Sequence, residues 1–240
     1  MSPSAQVNHS PDFDYRLLRL LIGLVAFFLP ILVEVRSPTF LESISSSYWT
    51  DARDIFVGML FMITALMLGY NGTRNDLRSG DEPSKSEKNG IKAILKTTFS
   101  EKWMSKIAAI GAVGVALFPT DEYACTTSVT SSIHYASAAL VFGVIAYFCL
   151  FPFRSNAVRK DTPKARRRAI IYVICGAVIL LSMIGAFAAP RVLGCLPSAA
   201  WGTTFLFEWI ALWSFGIAWV VAGKVLPGLA DVEERPTLFN

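Results

Sequence analysis

Four polar side chains stand out as candidates for chemistry in this apolar chain of 240 residues: Arg53, Asp54, His134 and Glu208. Glu208 is the only acidic residue deep in any long apolar run, and His134 opens another such run. Polar groups inside or beside membrane-spanning segments are costly, so each is a functional hypothesis by default. If the ends of these runs meet on one side of a membrane, the four side chains share an outward-facing polar pocket.

Three interpretations of this predicted pocket remain open. In a structural interpretation Glu208 pairs with His134, Arg53 or Arg191 and fastens helices together, because burial neutralises an unpaired carboxylate. In a binding interpretation the pocket holds a lipid headgroup or a small solute. One form of this interpretation is a small-solute or proton-coupled carrier that uses Glu208. In a catalytic interpretation a membrane hydrolase uses His134 with the carboxylates.

The histidine count argues against the catalytic interpretation. Known multi-span ceramidases and adiponectin-receptor-like hydrolases hold zinc with three histidines, whereas this chain has two, and His9 falls on the other side of the predicted membrane. One histidine with carboxylates is not a diagnostic metal-ligand pattern. We therefore assign no catalytic residue, no metal ligand and no cofactor, and the sequence favours a non-enzymatic role.

The composition indicates which elements must position these side chains. Hydrophobic residues make up 53% of the chain and charged residues 17%, with a mean hydropathy of +0.48. Average globular chains are about 45–50% apolar and about 25% charged. These figures argue against a soluble globular domain and a disordered chain, and four cysteines are too few for a disulfide scaffold. The class that fits is a polytopic membrane protein.

The predicted fold is an all-α, polytopic transmembrane helical bundle with six spans. A bilayer core needs roughly 20 mostly apolar residues in a helix. Arg19, near the start of the first run, is expected to snorkel to the headgroups. Small residues four apart, such as Ala139 and Gly143, predict close helix packing. The six predicted spans are 17–35, 55–70, 104–119, 133–153, 169–189 and 203–221.

The distribution of cations predicts how the bundle is oriented. Of the 22 Lys and Arg residues, 19 lie on one side of the predicted spans, and only Arg36, Arg53 and Arg191 lie on the other. By the positive-inside rule the cation-rich side is cytoplasmic, and both termini lie there. We expect a multi-pass protein integral to the plasma membrane or to a bacterial inner membrane.

This orientation divides the chain into a transmembrane domain and two tails. The predicted domain covers 16–226, with a cytoplasmic linker at 71–103. The cytoplasmic tails are 1–15 and 227–240. The basic residues of the predicted loop at 154–168 are explained by the orientation of the chain in the membrane, so no nucleic-acid partner is expected.

The four cysteines separate by predicted environment. Cys125 and Cys195 fall in two outer loops, where an oxidising compartment permits a disulfide. In the chain-entropy model such a bridge contributes roughly 4 kcal/mol. Separate thiols are the alternative. Cys149 and Cys175 fall inside spans, where we interpret them as small buried hydrophobic residues.

Short segments of the chain resemble a known group of six-span proteins. Ser43-Ile-Ser45 precedes the second span, residues 111–120 close the third, and His134 opens the fourth. These segments resemble the DRAM and FGF-receptor-activating-protein-like group and its related bacterial family of unknown function. Eukaryotic members are associated with autophagy, lipid-anchor remodelling and membrane-lipid organisation. The resemblance favours lipid-linked organisation over catalysis. The leading hypothesis is therefore a non-enzymatic membrane protein that binds or organises membrane lipid, or that scaffolds a membrane-protein partner or a second copy of itself.

Overall fold

The computed structural model of the chain describes residues 15–72, 100–121, 128–193, 202–231 and 234. Every regular secondary-structure element in this part of the chain is helical, which confirms the predicted all-α class. The helices are α1 Tyr15–Arg36, α2 Arg53–Gly69, α3 Glu101–Leu117, α4 Val129–Phe148, α5 Arg154–Lys160, α6 Pro163–Leu193 and α7 Thr203–Ala222.

A helix lies at each of the six predicted segments. Four helical stretches are long and apolar enough to cross a membrane, which is compatible with a membrane location. Helices α2 and α3 have 17 residues each. The four longer stretches are Tyr15–Arg36, Val129–Lys160, Pro163–Ala189 and Thr203–Ala222.

The six long helices form a closed ring. Each packs against two neighbours in the order α1, α2, α3, α4, α6, α7 and back to α1, and α4 and α7 barely touch across the ring. Helices α1 and α7 approach very closely where Gly23 faces Gly216. A Cβ atom at either glycine would lie 2.8 Å from the other's carbonyl oxygen, so only glycine fits this crossing.

Helix α4 does not end where its predicted span ends. It continues through a π-helical turn at Cys149–Phe153, which contains Pro152, into α5. The wider turn accommodates a proline that cannot donate a backbone hydrogen bond. Asp161, with φ at 49°, then reverses the chain into α6. The predicted loop at 154–168 is therefore mostly helical, because its polar residues continue the apolar helices on either side.

Arg19 does not snorkel to the membrane surface, so that prediction is wrong. Its side chain is buried, and its Nη2 atom donates to the Tyr70 hydroxyl at 2.6 Å. Tyr70 in turn donates to Glu101 at 2.5 Å, and Arg19 Nη1 donates to the Ala222 carbonyl at 3.2 Å. The pattern of a lone arginine near a helix end cannot reveal partners that lie far away in sequence. These bonds join α1, α3 and the ends of α2 and α7.

Candidate functional site

A loop between α1 and α2 closes the end of the ring that the sequence predicts to be outer. We call residues 41–50, which contain the short 3-10 helix Ser45–Trp49, the outer plug. The Glu42 carbonyl accepts from the Phe205 amide at 3.0 Å, and the Trp49 indole donates to the Thr120 carbonyl at 2.8 Å. The plug is thus attached to the start of α7 and to the segment after α3.

Glu208 attaches the middle of the outer plug. Its Oε2 atom accepts from the backbone amide of Ile44 at 2.5 Å, and the backbone amide of Ser45 also faces this carboxyl group. Two neighbouring backbone amides of the plug therefore converge on one carboxyl group. The partner of Glu208 is therefore the plug backbone, not His134 or Arg53.

His134 attaches the same loop from the opposite side. Its side chain is 2% exposed, with Nδ1 at 2.7 Å from the Phe118 carbonyl and Nε2 at 2.9 Å from the Ser45 hydroxyl. Because a carbonyl only accepts, Nδ1 carries a proton and donates to Phe118, while Nε2 is hydrogen-bonded to the Ser45 hydroxyl. Both nitrogens are engaged, so this geometry makes His134 a link between α4, the end of α3 and the plug.

The other two predicted site residues lie at the surface. Arg53 and Asp54 are exposed at the start of α2. Arg53 donates to the Tyr48 hydroxyl at 2.9 Å, and its guanidinium carbon lies 4.4 Å from the centroid of that ring. The structure thus brings His134 and Glu208 to the buried side of the outer plug. Arg53 contacts the plug only at its exposed surface, through Tyr48, and Asp54 is exposed. The Arg191 side chain lies outside the described part of the chain.

A lateral groove of about 360 Å³ lies between α4, α6 and α7, with Glu208 in its wall. Ile184 and Phe187 on α6 are 65% and 62% exposed, so the groove opens at the side of the ring. Its walls are otherwise mostly apolar and include Ala139, Phe142, Met183, Phe187 and Phe207. We call this cavity the lateral groove.

A second, smaller cavity lies directly beneath the outer plug. It has a volume of about 60 Å³, and Ile44, Ser45 and Glu208 line it together with Phe215 and other apolar side chains. Glu208 therefore borders both the cavity under the plug and the lateral groove. One side chain connects the loop that caps the ring with the opening at its side.

Sequence reasoning missed the lateral groove. Ala139 and Gly143 predicted close packing, yet Ala139 lines the groove and a Cβ atom at Gly143 would meet nothing within 4 Å. Small residues permit close approach, and they also leave space where the neighbouring helix diverges. The same spacing is compatible with both outcomes, so no sequence signal separates them.

The structure describes two of the four cysteines. Cys149 and Cys175 are buried free thiols, whereas Cys125 and Cys195, and with them the predicted disulfide, lie outside the described residues. Within the described ranges, no three His, Cys, Asp or Glu side chains gather into a group that could hold a metal ion.

Comparison with known proteins identifies a family. A family model described as a family of unknown function (DUF7103) matches residues 24–223, which is most of the chain. No curated protein and no solved structure matches the chain. The match agrees with the unknown-function part of the resemblance noted above, and the relation to the DRAM group stays a prediction. The chain belongs to this family of unknown function, DUF7103.

Proposed function

We propose that this protein is a six-span integral membrane protein that binds membrane lipid in its lateral groove and has no catalytic role. In this proposal the outer plug faces away from the cytoplasm and both termini are cytoplasmic. The membrane is the plasma membrane or a bacterial inner membrane. The observation that carries the proposal is the lateral groove, an apolar opening bordered by one carboxylate.

The outward faces of the two shorter helices support six spans. Helices α2 and α3 sit in the same ring as the four longer stretches. Met62 on α2 and Ile110 on α3 are large apolar side chains that are 52% and 68% exposed. Exposed apolar surface of this kind is typical of contact with lipid or with a protein partner. Shorter spans are accommodated by local thinning of the bilayer.

The chemistry of the lateral groove suits an acyl chain with a polar group at one end. Phe142, Met183 and Phe207 provide apolar wall, and burial of each CH₂ group contributes about 0.8 kcal/mol. Glu208 lies at the plug end of the groove, where its carboxylate can accept a hydrogen bond from a hydroxyl or amide near the headgroup. Lipid organisation is also the role that the resemblance to the DRAM group implies.

A photo-crosslinking experiment tests this proposal. The protein is reconstituted with phosphatidylcholine that carries a diazirine in one acyl chain, irradiated, and mapped by mass spectrometry. We expect crosslinks to concentrate on Phe142 and Phe207 in the groove, compared with Ile110 on the opposite face. Uniform labelling of all exposed apolar side chains would contradict a specific groove.

Two matched alanine substitutions make the experiment sharper. Ala139→Phe fills the groove, whereas Ala136→Phe adds the same ring three residues earlier on α4, outside the groove lining. Both alanines are exposed, so neither change overfills a buried core. We expect Ala139→Phe alone to reduce groove crosslinks severalfold. Equal crosslinking in the two variants would count against lipid in the groove.

A further inference from the structure

Three cations converge on one carboxylate at the end of the ring opposite the outer plug. Glu234 is buried, with a side chain that is 3% exposed. Its carboxylate oxygens lie 2.8 Å from Arg168 Nη1, 2.8 Å from Lys224 Nζ and 2.9 Å from Lys160 Nζ. Arg168 also donates through Nη2 to the second oxygen at 3.3 Å. We call Lys160, Arg168 and Lys224 the inner cradle.

The segment that carries Glu234 folds back onto the start of α6. Lys164 donates to the Ala230 carbonyl at 3.1 Å, and the Thr162 hydroxyl donates to Asp231 at 3.2 Å. These two contacts lie beside the inner cradle, and the cradle itself adds a third, because Arg168 Nη1 donates to the Leu229 carbonyl at 2.5 Å. Among the described residues, Glu234 is the one whose carboxylate meets all three cations.

The charge balance of the inner cradle is uneven, with three cations around one carboxylate. Burial works to raise the pKa of Glu234, but the hydrogen bonds from Lys224, Lys160 and Arg168 outweigh it and hold that pKa well below its usual range. Burial lowers the pKa of Lys224, and the bond to Glu234 opposes that shift. A ligand with two negative charges matches the cradle better than one carboxylate does.

The donors suit a phosphate monoester in particular. Arginine presents a planar pair of N–H groups that fits phosphate as well as carboxylate, and lysine binds phosphate as a point charge. A phosphate monoester offers three terminal oxygens and close to two negative charges near neutral pH. The three cations can therefore each meet one oxygen.

The inner cradle also lies at the depth where membrane phosphates occur. Arg168 directly precedes the apolar run of α6, and Lys224 follows α7, which ends at Ala222. In the proposed topology this level is the cytoplasmic headgroup layer. Anionic lipids of that layer attract cations near the surface by about 1 kcal/mol each.

We infer that the inner cradle is an anion site for a phosphate monoester, and that Glu234 occupies it when no ligand is bound. The ligand is either the headgroup of a lipid such as phosphatidic acid or free phosphate. Binding displaces the Glu234 carboxylate and releases the segment that carries it. This inference does not depend on the lateral groove.

Binding measurements on the full chain test the inference. Purified protein in a neutral detergent is titrated with dioctanoyl phosphatidic acid, with inorganic phosphate, and with dioctanoyl phosphatidylcholine, a phosphate diester. We expect phosphatidic acid or phosphate to bind in a way that Arg168→Gln weakens. Binding of phosphatidylcholine, which the proposed function assigns to the lateral groove, should be the same in the wild type and in Arg168→Gln. Preference for phosphatidic acid assigns the site to lipid, and equal binding of inorganic phosphate assigns it to the free anion.

Three single substitutions give the controls. Glu234→Gln removes the competing charge and is expected to tighten binding by about tenfold, since fewer molecules hold the site closed. Arg168→Gln is expected to weaken binding by a similar factor. Arg166→Gln removes the same charge from the same helix, but Arg166 pairs with exposed Asp161, so binding should stay within about twofold. Failure of both anions to bind the wild type and Glu234→Gln overturns the inference.

A second measurement on the wild type covers the case in which Glu234→Gln does not fold. Hydrogen exchange is followed at the amides of Ala230, Asp231 and Glu234, which are hydrogen-bonded in the unliganded chain. Saturating phosphatidic acid or phosphate should accelerate exchange severalfold at these amides. Unchanged or slower exchange with bound anion would show that Glu234 is not displaced and overturn the inference.

Discussion

Three carboxyl groups link separate elements of this chain, and each is stabilised by a different set of donors. Glu208 accepts from a backbone amide of the outer plug, and Glu234 is surrounded by three cations. Glu101 accepts from the Tyr70 hydroxyl and also lies 3.7 Å from the buried Arg19 guanidinium. A buried carboxylate without such donors costs several kcal/mol. The donor type therefore indicates how far each carboxylate depends on its charge.

Glu208→Gln tests how much the outer plug depends on two acceptor oxygens at this position. The amide oxygen of glutamine can still accept from Ile44, but glutamine offers one acceptor oxygen where the backbone amides of Ile44 and Ser45 both face the carboxyl group. We expect a loss of about 1 to 2 kcal/mol in the free energy of unfolding, together with weaker lipid crosslinking in the groove. Thermal unfolding in detergent and the crosslinking assay measure the two effects. Glu87→Gln in the predicted linker is the control, and equal tolerance of both changes would remove Glu208 from the proposed site.

The depressed pKa of Glu234 predicts how stability depends on pH. Unfolded glutamate has a pKa near about 4.3, whereas Lys160, Arg168 and Lys224 hold the folded pKa well below that value. The stabilisation is therefore complete above the unfolded pKa and is lost as the pH falls toward the folded pKa. We expect wild type to exceed Glu234→Gln by about 3 kcal/mol near pH 7.

Thermal unfolding of the two proteins between pH 7 and pH 3 checks this expectation. The difference in unfolding free energy should stay constant down to about pH 5 and shrink below about pH 4. A difference that shrinks between pH 7 and pH 5 would mean that Glu234 is not held ionised by the inner cradle.

The sequence identified Glu208 and His134 as candidate residues but not their partners. Both stand out because ionisable groups are rare in apolar runs. The partner of Glu208 is the backbone amide of Ile44, and almost every residue has such an amide, so the side-chain pattern carries no sign of it. Arg53 and Asp54 were predicted for the same pocket because they start a helix on the same side, and the sequence could not show that they face outward.

At the scale of the elements, apolar runs predicted where the long helices lie, because burial and lipid contact require the same uninterrupted apolar length. Polar helical ends were harder to predict. Residues 154–160 are helical although their composition is typical of a loop, because α4 continues through its π-helical turn. The distance between two packed helices was also not predictable, because it depends on which residues face each other, and these residues are distant in sequence.

Gly216→Ala tests the crossing of α1 and α7. An added Cβ atom would lie 2.8 Å from the Gly23 carbonyl and 2.9 Å from the Phe27 Cβ atom, so the helices must separate. We expect a loss of about 1 to 3 kcal/mol in unfolding free energy, measured by thermal unfolding in detergent. Gly143→Ala is the matched control in α4, where a Cβ atom meets open space. Equal effects of the two changes would show that the crossing is not tight.

At the scale of the whole molecule, the closed ring has different polar devices at its two ends. The outer plug is held by Glu208 and His134, while Arg19 and the inner cradle tie the helices together at the other end. Between these ends the buried side chains are largely apolar, including Phe148, Phe215 and Trp219. A substitution or a ligand that affects one end can therefore be tested without changing the polar contacts at the other end.

The predicted bridge between Cys125 and Cys195 would connect two predicted outer loops. In a Cys149→Ala/Cys175→Ala background only these two thiols remain, so any intramolecular bridge must join them. We expect faster migration in non-reducing electrophoresis than after reduction, because a bridged chain is more compact when denatured. A further Cys195→Ser change should abolish the difference. Identical migration with and without reductant would contradict the bridge.

The orientation of the ring is tested by single cysteines in a cysteine-free chain. Thr126→Cys lies in a predicted outer loop and Ser84→Cys in the predicted cytoplasmic linker. Because 19 of the 22 Lys and Arg residues lie on the predicted inner side, only Thr126→Cys should react with a membrane-impermeant maleimide added to intact cells. After the cells are broken open, Ser84→Cys should react as well. Labelling of Ser84→Cys but not Thr126→Cys in intact cells would reverse the orientation and place the inner cradle outside the cytoplasm.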